Sequence, residues 1–108
     1  MIAKAVIAGA PRITSNPTSQ NIAVGASAVL TIEATASGIL SYQWYTNTKG
    51  SSIGATAING AISNTYTITP TKVGASYYYC VVTNTDDKMS AAKIASITSK
   101  IVKVAVTA

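Results

Sequence analysis

The 108-residue chain predicts an all-β sandwich of seven or eight short antiparallel strands. Three observations carry this. Tyr77-Tyr78-Tyr79-Cys80-Val81-Val82-Thr83-Asn84 and Ser41-Tyr42-Gln43-Trp44-Tyr45 are two aromatic stretches that alternate in and out, as strands packed on one face do. Turn signals recur roughly every 8 to 12 residues, the spacing of a sandwich. No stretch has apolar residues at helical spacing between a cap and a closing glycine. A chain of this length holds one hydrophobic core and one domain.

Residues 1–11 read as an apolar arm, closed by the breaker Gly9-Ala10-Pro11, and residues 12–108 as the folded domain. The arm echoes the far end of the chain: Ile2 to Ala8 align, 99 positions on, with Ile101 to Thr107. Such an echo is expected if the arm is the last strand of a preceding repeat. Arg12 to Thr14 starts the first strand, which Pro17 interrupts as proline does at a sheet edge. Asn21 to Val24 resumes it, and Gly25 turns the chain. Ala28 to Ala36 then alternates, with Leu30, Ile32 and Ala34 on one face and Thr31, Glu33 and Thr35 on the other. Ser37-Gly38 ends that strand.

Tyr42 and Trp44 share the inner face of the next strand. A short edge strand over Ala55 to Ile58 precedes Asn59-Gly60, a strong two-residue turn signal. Asn64 to Ile68 alternates up to Pro70, and Gly74 leads into the tyrosine-rich strand. Lys93 to Val106 reads as one long final strand, with Val102, Val104 and Val106 on one face.

Charged residues make up 10% of the chain, with a formal net charge of +5. The seven lysines are scattered singly, whereas a nucleic-acid footprint clusters its charge, so nucleic acid is not an expected partner. Solitary lysines serve solubility and protect strand edges. Cys80 is the one cysteine, so there is no intrachain disulfide and folding needs no oxidising compartment. No apolar run approaches the ~20 residues of a membrane-spanning helix, and the apolar centre of the N-terminus is too short for an export signal.

The order of Gly25, an alternating strand, Ser37-Gly38, Tyr42-Gln43-Trp44-Tyr45, Thr65-Tyr66-Thr67-Ile68, Gly74 and Tyr78-Tyr79-Cys80 resembles the immunoglobulin-like fold, particularly the modules of bacterial surface proteins and phage virion proteins. The resemblance covers about residues 12–106 and implies a core role for Trp44 and a tyrosine corner at Tyr78, whose hydroxyl would tie its strand to the preceding loop. It also implies that Ile32 or Ala34 fills the place of the second cysteine of disulfide-bonded relatives. Cys80 is then a small buried hydrophobe and not a reactive thiol.

Groups for catalysis are scarce. There is no histidine, and Asp86 and Asp87 are adjacent, so on a strand they point to opposite sides and make no acid and base pair. Cys80 has no evident base, the Asp86-Asp87 turn is short of calcium ligands, and no phosphate loop precedes a helix. No enzyme activity, metal or cofactor is expected. Tyr45, Tyr77, Tyr79 and Tyr66 are the aromatic residues expected outside, and the resemblance, which makes their strands neighbours, implies a candidate ligand patch of Tyr45, Tyr77 and Tyr79 on one outer face. Ile2, Val6 and Ile7 of the arm are the candidate partner contacts, because an apolar arm can add a strand to a neighbour's open edge.

Two functions fit. The chain opens on Met-Ile, has no export signal and needs no disulfide. Those features lead to the first expectation, a phage virion component, a head decoration or tail protein assembled in host cytoplasm and docked on a capsid or tail protein. The second is a module of a bacterial surface or adhesion protein, a spacer between neighbouring immunoglobulin-like modules or a weak binder of a glycan or anionic cell-wall polymer.

Overall fold

A computed structural model describes residues 9–86 and 94–108, and over them the protein is a two-layered β structure without helices. The strands are β1 (Arg12–Ser15), β2 (Gln20–Ala23), β3 (Ala28–Thr31), β4 (Glu33–Thr35), β5 (Ile39–Asn47), β6 (Thr56–Ala57), β7 (Thr65–Ile68), β8 (Gly74–Thr85), β9 (Ile94–Thr98) and β10 (Val102–Thr107).

One layer joins β1 to β4 and β3 to β7. Its two ladders are continuous through Ile32, whose N–H donates to the Asn64 carbonyl at 2.9 Å, so β3 and β4 are one strand with a break in pairing. Ala28, Leu30 and Ile32 are fully buried while Val29, Thr31 and Glu33 are exposed, which is the predicted alternation. The other layer has the order β2-β10-β8-β5-β6, with β9 also on β8.

The chain changes layer between β1 and β2. β1 runs antiparallel to β4, whereas β2 pairs parallel to β10, the one parallel pair among the described strands. Buried Pro17 lies in this crossing, where its missing N–H costs no ladder bond.

The expected single strand over residues 93–106 is two strands. Thr98 pairs with Val81 and Val102 with Tyr78, so three residues, 99–101, face two, Tyr79 and Cys80. Buried Ser99 makes this bulge possible. Its hydroxyl accepts the Cys80 N–H at 2.9 Å, and its own N–H donates to the Cys80 carbonyl at 2.8 Å. A side chain thus takes a place in the ladder that a regular strand fills with a carbonyl.

The core between the layers holds Leu30, Ile32, Trp44, Cys80, Val82, Val102 and Val104. Trp44 is fully buried, and its indole N–H donates to the Ser63 carbonyl at 2.7 Å, so its polar edge is satisfied inside. The turn after β6 folds back on the same residue: Ile58 N–H donates to the Trp44 carbonyl, and Trp44 N–H to the Ala61 carbonyl. Gly60 allows that turn with φ of +81°.

Candidate functional site

The described residues contain no cluster of three or more metal-binding side chains. Glu33 is exposed on the outer face of its layer. Cys80 is fully buried and free, and burial pushes its thiol up to about 11 from an ordinary 9.0. A thiol held neutral and away from solvent is no nucleophile. Asp86 is buried and accepts a hydrogen bond from the Ser37 hydroxyl at 2.8 Å, which is structural use of a carboxylate. Asp87, Lys88 and Lys93 lie outside the described residues, as do the arm residues Ile2, Val6 and Ile7.

Two surfaces remain. The first is the outer face of the β5–β8 pair. Tyr45 and Tyr79 are direct cross-strand partners, and their rings stack at 5.0 Å and 6°. The pairing buries Tyr79 to 7% exposure, and burial, then proximity to Tyr45, raises its phenol above the usual value. Tyr79 was expected to stand outside. It does face outward, but what a ligand meets is half-buried Tyr45 and Tyr77, and Tyr77 lies against Gly50.

The remaining tyrosine expected outside, Tyr66, belongs to the interior. It stacks on Trp44 at 6.4 Å and meets Tyr78 at 6.0 Å, and burial, then Tyr78, raises its phenol. β7 presents position 66 inward because Leu30 of β3 is its register partner. The tyrosine corner is absent in its expected form: among the described residues the Tyr78 hydroxyl makes no hydrogen bond to the 69–73 loop. Its ring packs on Tyr66 and helps line an open cleft of about 220 Å³ with Ile68, Pro70, Val73, Val104 and Val106.

The second surface is the pole where the arm joins the domain. Asn84 is fully buried at the end of the inward series Tyr78, Cys80, Val82, Asn84. Its amide oxygen accepts the Gly38 N–H at 2.9 Å, and its amide nitrogen donates to the Gly9 carbonyl at 3.0 Å and the Ser37 hydroxyl at 3.4 Å. Gly38 must be glycine here, since a Cβ would overlap the Thr85 carbonyl and the Asn84 amide. Pro11 is fully buried beside this network in sequence. Sequence reasoning missed the network. Its one signal was an asparagine at an inward position of an apolar alternation, where a polar group demands partners.

This arrangement defines a β-sandwich whose buried polar side chains, among the described residues, are hydrogen-bonded within the fold, with an aromatic outer face and the pole where the arm joins as its candidate surfaces. It fits a binding or structural module. A family model described as an immunoglobulin domain matches residues 10–84, and the chain belongs to that family. No curated protein matches the sequence. Among solved structures, the chain resembles the "Tandem Ig repeats of Dlar" at 22% identity and a TM-score of 0.61, over 94% of this chain and 50% of that one. The chain therefore spans about half the length of that relative, and the likeness is one of fold. An engineered protein aligns at 18% identity and a TM-score of 0.41, over 91% of this chain and 20% of that one.

Proposed function

We propose that the chain is a non-catalytic immunoglobulin-like module of a head-to-tail series, a spacer that holds its neighbours apart and displays its outer face. One observation carries this: the chain enters the domain at one pole and leaves at the other. Gly9 is held by Asn84 near the end of β8, whereas Thr107 ends β10 beside Ala23, close to where β8 begins. β8 has 12 residues, so the poles stand roughly 35 to 40 Å apart. Copies joined in sequence then extend as a rod. The echo between residues 2–8 and 101–107 supports the same reading, since a preceding module would end in such a strand. Tyr45 and Tyr77 supply the modest aromatic surface suited to weak glycan contact on a bacterial cell surface.

A second reading is favoured by Cys80, which stays a free buried thiol. A domain without a disulfide folds in reducing cytoplasm, as a virion head or tail component must before assembly. The coding sequence beyond Ala108 tests the two. Further copies of the Gly25, Trp44 and Tyr78-Tyr79-Cys80 pattern, at about the spacing of the echo, sustain the module. Copies of the chain found seated on a capsid or tail protein overturn it in favour of the virion.

A further inference from the structure

Lysines that stand singly in the sequence do not all stand apart in the fold. Lys103 of β10 is the register partner of Tyr77 on one side and Asn47 of β5 on the other, so the three form one row across the outer face of the sheet. Asn47 shapes the loop that follows it. Its amide nitrogen donates to the Ser51 carbonyl at 2.7 Å and the Ile53 carbonyl at 3.0 Å, and its amide oxygen accepts the Lys49 N–H at 3.4 Å. The loop turns back over the row, since Gly50 lies against the Tyr77 ring, where a Cβ would stand 3.3 Å from Cε1. Tyr77 is therefore flanked by Lys49 on its β5 side and Lys103 on its β10 side, and both lysines are exposed. With two strand spacings between them, the lysine-bearing segments stand roughly 10 Å apart. No acid answers them. Among the described residues Glu33 is on the outer face of the other layer, and Asp86 is buried beyond the end of β8, roughly 30 Å along the strand from Tyr77. Tyr45 and Tyr79 are stacked on each other, whereas no aromatic ring stacks on Tyr77 among the described residues.

We propose that Tyr77, Lys49 and Lys103 form a site for an acidic saccharide, a sugar or polyol unit that carries a carboxylate or a phosphate. The inference rests on the glycan-displaying outer face proposed above and names its ligand. The half-buried phenol offers an apolar ring with a polar rim, which suits the C–H side of a sugar. The two ammonium groups, with no carboxylate of the chain to satisfy them, meet the charge of the substituent. A neutral sugar gains the ring contact alone. Single-stranded nucleic acid fits worse, because it stacks successive bases on several rings along a basic groove, and here one unstacked ring lies between two lysines.

The test is an amide NMR titration of the chain with short oligomers of equal length: trigalacturonate, a glycerol phosphate trimer and neutral maltotriose. The better acidic oligomer should bind at least about fivefold more tightly than maltotriose and lose that advantage as salt rises to about 0.5 M. It should shift the amides of Asn47, Gly50, Tyr77 and Lys103, and which acid binds better separates a carboxylate source from a phosphate source. Lys49→Gln and Lys103→Gln should each weaken it about two- to fivefold, whereas Arg12→Gln, an equal change of charge on the other layer, should leave it unchanged. Tyr77→Ala should weaken it about fivefold, and Tyr77→Phe, which keeps the ring, less than about twofold. The exposed lysine variants decide the case even where Tyr77→Ala perturbs the fold. Weakening by Arg12→Gln equal to that by the lysine changes overturns the site, as does tighter binding of a single-stranded oligonucleotide at the same amides. Equal binding of all the oligomers, lost in Tyr77→Ala, overturns the acidic ligand and leaves the glycan-displaying face. Binding of none removes both, while the tandem spacer stands or falls on the coding sequence alone.

Discussion

Trp44 and Tyr45 are neighbours on β5 that face opposite layers of the molecule. Trp44 is fully buried against Tyr66 and the aliphatic core, with its N–H bonded to Ser63. Tyr45 stacks more closely on Tyr79, at 5.0 Å against 6.4 Å, yet that pair has no layer above it among the described residues. The two aromatic groups are alike in chemistry, the outer one built from β5 and β8 and the inner one from β5, β7 and β8. They differ in what lies over them, so the inner group sets stability and the outer one remains available for contact.

The sharpest way to break this comparison is to truncate both sides. Trp44→Ala should cost about 3–5 kcal/mol of unfolding free energy, because it leaves a large cavity and an unpaired Ser63 carbonyl. Tyr45→Ala should cost only about 0.5–1.5 kcal/mol, the worth of a ring pair whose loss solvent can fill. Urea unfolding of both variants reads the difference, and equal losses would show that the outer pair is as structural as the inner one.

The smallest effect concerns Cys80 and is confined to alkaline pH. Its folded-state thiol titrates near 11 against an ordinary 9.0, so the folded state holds the proton more tightly. That contribution to stability is complete below pH 9 and is lost as pH rises towards 11, since the unfolded thiol ionises first. Between pH 9 and 10, where the unfolded thiol is more ionised than the unfolded phenols of Tyr66 and Tyr79, Cys80→Ala should flatten the decline. An unchanged slope in that window would mean that the thiol is not buried in solution.

Much of this inner-outer division was legible in the residues. Leu30 and Ile32 alternate with Thr31 and Glu33, and the structure buries the former pair and exposes the latter. Trp44 and Cys80 sit opposite one another in the ladder, in the two strands chosen as the middle of the core. The role of Tyr66 was not legible, because a four-residue strand of Thr, Tyr and Ile reads equally well with either face inward. Only pairing with β3 fixes its face. Nor was the break at Ser99 foreseen, since a serine within a run of β-formers gives no local sign that its hydroxyl will replace a ladder carbonyl.

The candidate sites divide in the same way. Tyr45 and Tyr79 were placed on one face by the resemblance to the immunoglobulin-like fold, which makes their strands neighbours, and the ladder makes them direct partners. Asn84 escaped notice because its meaning lies in Gly9 and Gly38, which are 75 and 46 residues away in sequence.

Alternation, turn residues and the absence of helical spacing were enough to determine a β-sandwich with Trp44, Ile32 and Cys80 inside, because period-two burial is a local property of the chain. Tertiary structure alone decided which layer each half of the first strand joins, where the last strand bulges, and how the entering chain is tethered. Those depend on hydrogen bonds between residues far apart in sequence, and no local pattern encodes a partner that folding has yet to bring near.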